Sequence, residues 1–193
     1  MTVRQAAARE RILTTAYELF SRRGIRAVGV DEVVRRAGVV KATLYRHFPS
    51  KDQLVLAFLA RREQLWTREA IDAGARGRAA TGEGRLLAVF DVLDELFHAG
   101  TELASCSFIK VLLEMGAEHP VGQACVGYLE NVRALFRDWA EEAKLPDPAG
   151  LAKSWHLLVK GAIIGAAEGD LEAARSARVL AECLLELERA KAR

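Results

Sequence analysis

Five hydrogen-bond donors, Lys41, Thr43, Tyr45, Arg46 and His47, fall within the seven residues "KATLYRH", with no acid among them. Such a set suits an anionic partner rich in acceptors. Lys41 can reach guanine O6 and N7 or a phosphate, Thr43 can offer its hydroxyl to a phosphate or its methyl to a thymine, and Ala42 is small enough to let the backbone come close. Tyr45 and His47 suit the phosphate oxygens at a groove edge, and Arg46 adds a fixed charge beside them. Lys51 follows at the start of the next helix, where the helix N-terminus already favours an anion.

The local pattern says what positions these groups. A short helix over about Lys41 to His47 turns Leu44 and Phe48 toward a support at i, i+4, which leaves the donors outward. A preceding helix over about Val30 to Arg36 turns Val30, Val33, Val34 and Ala37 inward, and Gly38 makes the turn between the two. A first helix, about Val3 to Arg23, carries Ile12, Ala16, Leu19 and Phe20 on one face and stops at Gly24. Two short helices joined at a glycine are a helix-turn-helix, in which the second helix enters the major groove. The weak points are the N-caps, Gly29 and Val40, since loss of a Ser or Thr cap costs about 1 kcal/mol.

The rest of the 193 residues reads as helix throughout, with no period-2 alternation. The expected fold class is all-α, with about nine helices. A helix-turn-helix domain over residues 1–50 precedes a larger helical domain over 51–193, whose first helix, about Lys51 to Ala73, serves as connector with Ser50 as its cap. After the Gly- and Ala-rich break "AGARGRAATGEG", helices are expected over about Glu83 to His98, Ser107 to Met115, Pro120 to Ala143, Pro148 to Glu168 and Leu171 to Lys191. Charge divides the chain in the same way. Residues 1–62 hold thirteen Lys and Arg against five Asp and Glu, whereas the remainder holds fifteen against twenty-one. The basic part points to nucleic acid. No secretory signal and no run long enough to span a bilayer is legible, so a cytoplasmic protein is expected. Cys106, Cys125 and Cys183 lack ligand spacing and read as buried free thiols.

The run "AGVVKATLYRHFPSKDQL", with "ILTTAYELFSRRGIRAVGVDEVVRRAG" before it, closely resembles the DNA-binding segment of the TetR family of bacterial transcriptional regulators over roughly residues 10 to 56. The matched features include Ala16, Phe20 and Gly24, the Ala37-Gly38 turn, Leu44-Tyr45, His47-Phe48, and Lys51 with Leu54. The chain departs from the family at Gly29 and Val40, where Ser or Thr is usual. The resemblance implies a homodimer on a palindromic double-stranded DNA operator, with DNA affinity controlled by a small-molecule effector bound in the C-terminal domain. It also implies base reading by Lys41, Ala42 and Thr43 and phosphate contacts by Tyr45, His47 and Lys51.

Two features of the C-terminal two thirds bear on those expectations. Trp66, Phe90, Phe97, Phe108, Met115, Tyr128 and Trp155 lie on apolar helix faces, where they either pack as core or line an effector cavity with Asn131 or His156 fixing orientation. Gly161, Gly165 and Gly169 recur every fourth residue, and glycine within a helix costs about 1 kcal/mol relative to alanine, so close approach by another helix is expected, either within the subunit or from a second copy. The family's dimer forms through its last two helices. With Leu180, Leu184 and Leu187 as the matching stripe, a four-helix interface follows.

Enzyme chemistry finds little support. Glu95 and His98 have the i, i+3 spacing of di-iron bundles but lack the second such pair and the further glutamates, and Glu114, Glu118 and His119 are wrongly spaced. No nucleophile elbow or phosphate-binding glycine motif is present, and no metal or cofactor is expected. A helical ligand-binding protein without DNA affinity is the alternative that Val40 leaves open.

Overall fold

The structure is a computed structural model that describes residues 3–191, and among them it contains helices and no strand. The helices are α1 (Val3–Arg23), α2 (Val30–Ala37), α3 (Lys41–His47), α4, α5 (Gly82–His98), α6 (Ser107–Met115), α7 (Pro120–Glu142), α8 (Pro148–Ala167) and α9 (Ala173–Lys191). Helix α4 begins as α-helix over Lys51–Arg62, passes into a π-helical stretch over Glu63–Ala73 and ends with α-helix over Gly74–Arg78. The chain folds into two compact units: one takes it through Glu63 together with Ser107–Gly127, and the other takes Gln64–Cys106 with Tyr128 onward. The first unit thus reaches past residue 50 and includes the start of α4 and all of α6.

In the first unit Ile12, Leu13, Ala16, Leu19 and Phe20 of α1 are buried with Val33 and Ala37 of α2, Leu44 and Phe48 around α3, and Leu54, Val55, Phe58 and Leu59 of α4. The Phe58 ring lies 5.4 Å from Tyr17 and 5.6 Å from Phe20. Two cations on α4 hold α1 from the other side. Arg61 pairs with Glu10 at 2.5 Å, and the buried Arg62 donates to the Tyr17 hydroxyl at 3.1 Å. The α2–α3 turn closes as the glycine requires, with Gly38 at φ 63° and its N–H directed to the Arg35 and Val34 carbonyls.

The second unit is built on α5, α8 and α9, with α9 packed on both of the others. Trp155 is fully buried and donates through Nε1 to the Leu86 carbonyl at 3.0 Å, while Trp66 Nε1 reaches the Leu103 carbonyl at 3.1 Å. Helix α8 starts as its "PDPAG" signal dictates, with Pro148 in the first turn and the Asp147 carboxylate accepting from the Gly150 N–H at 2.9 Å.

Three expectations are corrected here. The connector is not uniform α-helix to Ala73: its second half is π-helical, which turns Trp66 and Ile71, five residues apart, into the same interior, and helix continues through Arg78 into the supposed break. The glycines of α8 do not share one role. Gly165 is crowded within the chain, where an added Cβ would stand 2.9 Å from the Ala173 Cβ; Gly169 lies beyond the helix at φ 102°, a backbone state that favours glycine; and Gly161, within the helix, faces open space. Cys183 is exposed on α9 rather than buried, whereas Cys106 and Cys125 are buried as expected.

Candidate nucleic-acid interface

Helix α3 spans Lys41–His47, the bounds its pattern predicts, and Leu44 at its centre is fully buried against the unit's core. That anchor leaves Lys41, Ala42, Tyr45 and Arg46 exposed and Thr43 and His47 half-buried. Phe48 closes the helix, and the Arg9 guanidinium sits over its ring at 5.1 Å. At the N-terminus Val40 has the extended backbone of a cap but no side-chain bond, and its side chain is 68% exposed. The Val40 carbonyl accepts from the N–H groups of Thr43 and Leu44 at 2.8 and 3.3 Å, so the first turn closes without a capping hydroxyl. The Gly29 cap of α2 likewise makes no side-chain bond.

Two of the donors of α3, Lys41 and Arg46, are already engaged. Lys41 Nζ lies 2.8 Å from Asp31 of α2, and the Asp31 carboxylate, by hydrogen bond and by charge, raises the lysine pKa above its ordinary value. Both side chains are largely exposed, so the pair is screened and exchanges easily for a phosphate or base edge. Arg46 donates to the Thr43 hydroxyl at 3.1 Å. Lys51, expected to face an anion, donates one ammonium N–H to the Ile25 carbonyl at 2.6 Å. His47 Nε2 is buried without a hydrogen-bond partner. It borders an open groove of about 640 Å³ whose other lining includes Gln5, Ala7, Ala8 and Arg11 of α1, Gly38, Val39, Thr43 and Arg46. No local pattern marks Gln5 or Arg11 as neighbours of α3, because their relation to it depends on how α1 crosses it.

The candidate effector residues are distributed over both units. Phe108 and Met115 belong to the first; Trp66, Phe90, Phe97, Tyr128, Asn131, Trp155 and His156 belong to the second. Within the second unit Phe90 packs on Trp155 at 5.6 Å, and both are buried with Trp66 and Phe97, while Tyr128 is half-buried and Asn131 is exposed. His156 is 3% exposed and lies 6.2 Å from the Phe136 ring, which meets Trp139 at 6.1 Å on another side. Its Nδ1 and the Trp139 Nε1 are both buried without a partner. Burial, aided by the positive charges of Lys160 and Arg133, lowers the His156 pKa to about 3 and keeps the ring neutral.

On α9 Leu180 and Leu187 are 60% and 63% exposed, Val179 and Cys183 are exposed beside them, and Leu184 is half-buried. Leu157 and Ile164, seven residues apart on α8, are also exposed, with Gly161 between them in sequence. Among the described residues no group of three or more His, Cys, Asp or Glu is arranged to hold a metal ion.

A short helix presenting donors from a buried leucine, set behind a glycine turn on a second helix, defines a helix-turn-helix protein of the DNA-binding class. Residues 12–58 match the family described as bacterial regulatory proteins, tetR family. The transcriptional regulator SrpR of Pseudomonas putida is 36% identical over 158 residues, covering 81% of this chain and 72% of that one, and the chain belongs to the TetR family. The transcriptional activator FasR of Mycolicibacterium smegmatis is 51% identical over 53 residues, 28% of this chain; the match spans only 24% of FasR, and the chain spans between about a quarter and two fifths of several other relatives. Others among the relatives are named transcriptional repressors. A TetR-family transcriptional regulator from Streptomyces coelicolor has the same fold, with a TM-score of 0.85 at 27% identity over 95% of this chain and 96% of that one. The similar proteins are named as regulators, not enzymes.

Proposed function

We propose that this chain acts in the cytoplasm as a homodimeric, ligand-responsive repressor that binds a palindromic operator and leaves it when a small-molecule effector binds. The observation that carries the reading is α3 itself, where Lys41, Ala42, Tyr45 and Arg46 stand exposed around a buried Leu44 on a helix that contains no acid. Lys41, Ala42 and Thr43 read base edges, while Tyr45, Arg46, His47 and Lys51 hold phosphates. For Lys51 this requires release from the Ile25 carbonyl or a shared bond. Two copies of α3 about 34 to 36 Å apart meet successive major grooves.

Dimerisation is supported by the apolar stripe of Leu157 and Ile164 on α8 with Val179, Leu180 and Leu187 on α9, all exposed in the single chain. Gly161 is the glycine with room for a partner helix; Gly165 is occupied within the chain and Gly169 serves the turn. The effector reading is supported in the second unit by apolar rings around two buried polar atoms without partners, His156 Nδ1 and Trp139 Nε1. An effector bound there, among α5, α7 and α8, biases a displacement of α4 and with it the separation of the two recognition helices. Such coupling is a differential affinity of about 1 to 3 kcal/mol between two states. Repression follows where the operator overlaps a promoter.

The test is selection of genomic fragments by the purified chain, followed by transcription from the recovered promoters with and without it. Lower transcription in its presence supports the repressor; higher transcription makes it an activator, as FasR is named; recovery of no fragment ends the DNA-binding reading.

A further inference from the structure

Glu114 stands in the last turn of α6, a helix of nine residues. A carboxylate there opposes the helix dipole, whose C-terminal end is negative, so its position has a cost that something else must offset. The offset comes from far along the chain. The Glu114 carboxylate accepts from the backbone N–H groups of Ile25 at 2.8 Å and Arg26 at 2.9 Å, across 89 and 88 residues of sequence. It fits because residue 24 is glycine: a Cβ added there would overlap Glu114 Oε1, and the φ of 81° at Gly24 turns the following N–H groups toward the carboxylate. The other end of the same residue is held from α4, where Lys51 donates to the Ile25 carbonyl at 2.6 Å. The turn that joins α1 to the helix-turn-helix is thus gripped by the end of α6 and the start of α4, two helices that pack together.

We propose that Glu114 is a positioning residue for DNA binding: it latches the α1–α2 turn to α6, so the orientation of α3 follows α6 directly and not only through α4. The inference rests on the reading of α3 as the DNA-binding helix. Charge-assisted bonds to two backbone amides resist displacement more than apolar contact does, because a shift of α6 either drags the turn with it or leaves a carboxylate and two N–H groups unpaired. Reciprocity adds a consequence: if α6 biases α3, then DNA bound at α3 must restrain α6.

The experiment uses the full chain and a duplex recovered by it from a random-sequence pool. In Glu114→Ala, amide hydrogen exchange at Ile25 and Arg26 should rise about tenfold or more, with amides at the centres of α5 and α8 unchanged. Glu114→Gln, which keeps the shape and one neutral acceptor, should fall between. On addition of the duplex, exchange along α6 should slow in the wild-type chain. In Glu114→Ala the same duplex, still bound and still protecting α3, should protect α6 clearly less, leaving only what passes through α4. A purely local packing role would not produce that difference. Unchanged exchange at Ile25 and Arg26, or equal protection of α6 by DNA in both chains, overturns the inference while the DNA-binding reading stands. Failure of the wild-type chain to recover any duplex overturns that reading and the inference with it.

Discussion

The helix-turn-helix and the α8–α9 pair present opposite surfaces on the same kind of scaffold. In α3 the buried residue is a single leucine and what faces outward is polar, cationic and already engaged: Lys41 on Asp31, Arg46 on Thr43. In α8 and α9 the buried face is broad, with Trp155, Val159, Ala174, Ala181 and Leu185, yet Leu157, Ile164, Leu180 and Leu187 still face outward. Exposed cations need no explanation by themselves, whereas a row of exposed leucines on two adjoining helices does. The contrast teaches that the first surface suits a solvated, acceptor-rich partner, as proposed for DNA, and the second suits another apolar face, as proposed for a second copy.

The two regions can be separated by substitution. The largest effect is expected from Trp155→Ala, which removes a fully buried ring and its bond to Leu86, and should lower stability by about 3 to 5 kcal/mol in chemical denaturation. The isolated α3 face is untouched, so any loss of DNA binding should track the folded fraction. Next, Leu180→Asp with Leu187→Asp should remove about 3 kcal/mol or more of apolar burial per protomer from the proposed interface and leave a monomer in sedimentation, with the helical signal retained. A dimer that survives this pair would move the interface elsewhere.

Lys41→Ala should weaken binding to a selected duplex by about 1 to 3 kcal/mol and relax discrimination at one base position, whereas Tyr45→Phe with Lys51→Ala should weaken all sequences alike and flatten the salt dependence. Both outcomes are read from titrations at several salt concentrations. The second unit also has a pH signature. His156 binds its proton far more weakly when folded, near pH 3, than when unfolded, near 6.5, so the unfolded chain takes up the proton first as pH falls. Stability from this group is complete above about pH 6.5 and declines toward pH 3, by about 2 kcal/mol between pH 7 and pH 5. Comparison with His156→Phe isolates it, since that variant should lack this part of the acid dependence. The smallest effect is at Val40. Val40→Ser supplies the missing cap of α3 and should stabilise the first unit by about 1 kcal/mol or tighten DNA binding correspondingly, measured by thermal unfolding and by titration.

What could be read without coordinates differs between the regions for a physical reason. The helix-turn-helix was legible to within a residue because its determinants are local: an inward i, i+4 pair, a glycine that adopts φ 63°, and an N-cap serine at residue 50 whose hydroxyl accepts from the Gln53 N–H at 3.1 Å. Its partners were not legible, because Asp31 against Lys41, Ile25 against Lys51 and Glu114 against Ile25 are set by the angle at which helices cross. In α4 an apolar period near 3.6 concealed the π-helical register over Glu63–Ala73, which displaces every later side chain around the helix. The glycines of α8 read as one stripe because spacing alone cannot tell crowding within the chain from open space outside it.

The central claim is that α3 delivers this chain to DNA, and titration of the full chain with a duplex recovered from the source genome tests it most directly. The account predicts tight, sequence-selective binding at physiological salt, typically about 10⁻⁸ M or better for specific sites, with log affinity falling linearly as log salt rises and with Lys41→Ala impaired. Binding no tighter than to unrelated sequence, or equal affinity for wild type and a chain altered at Lys41, Tyr45 and Arg46 together, would contradict it.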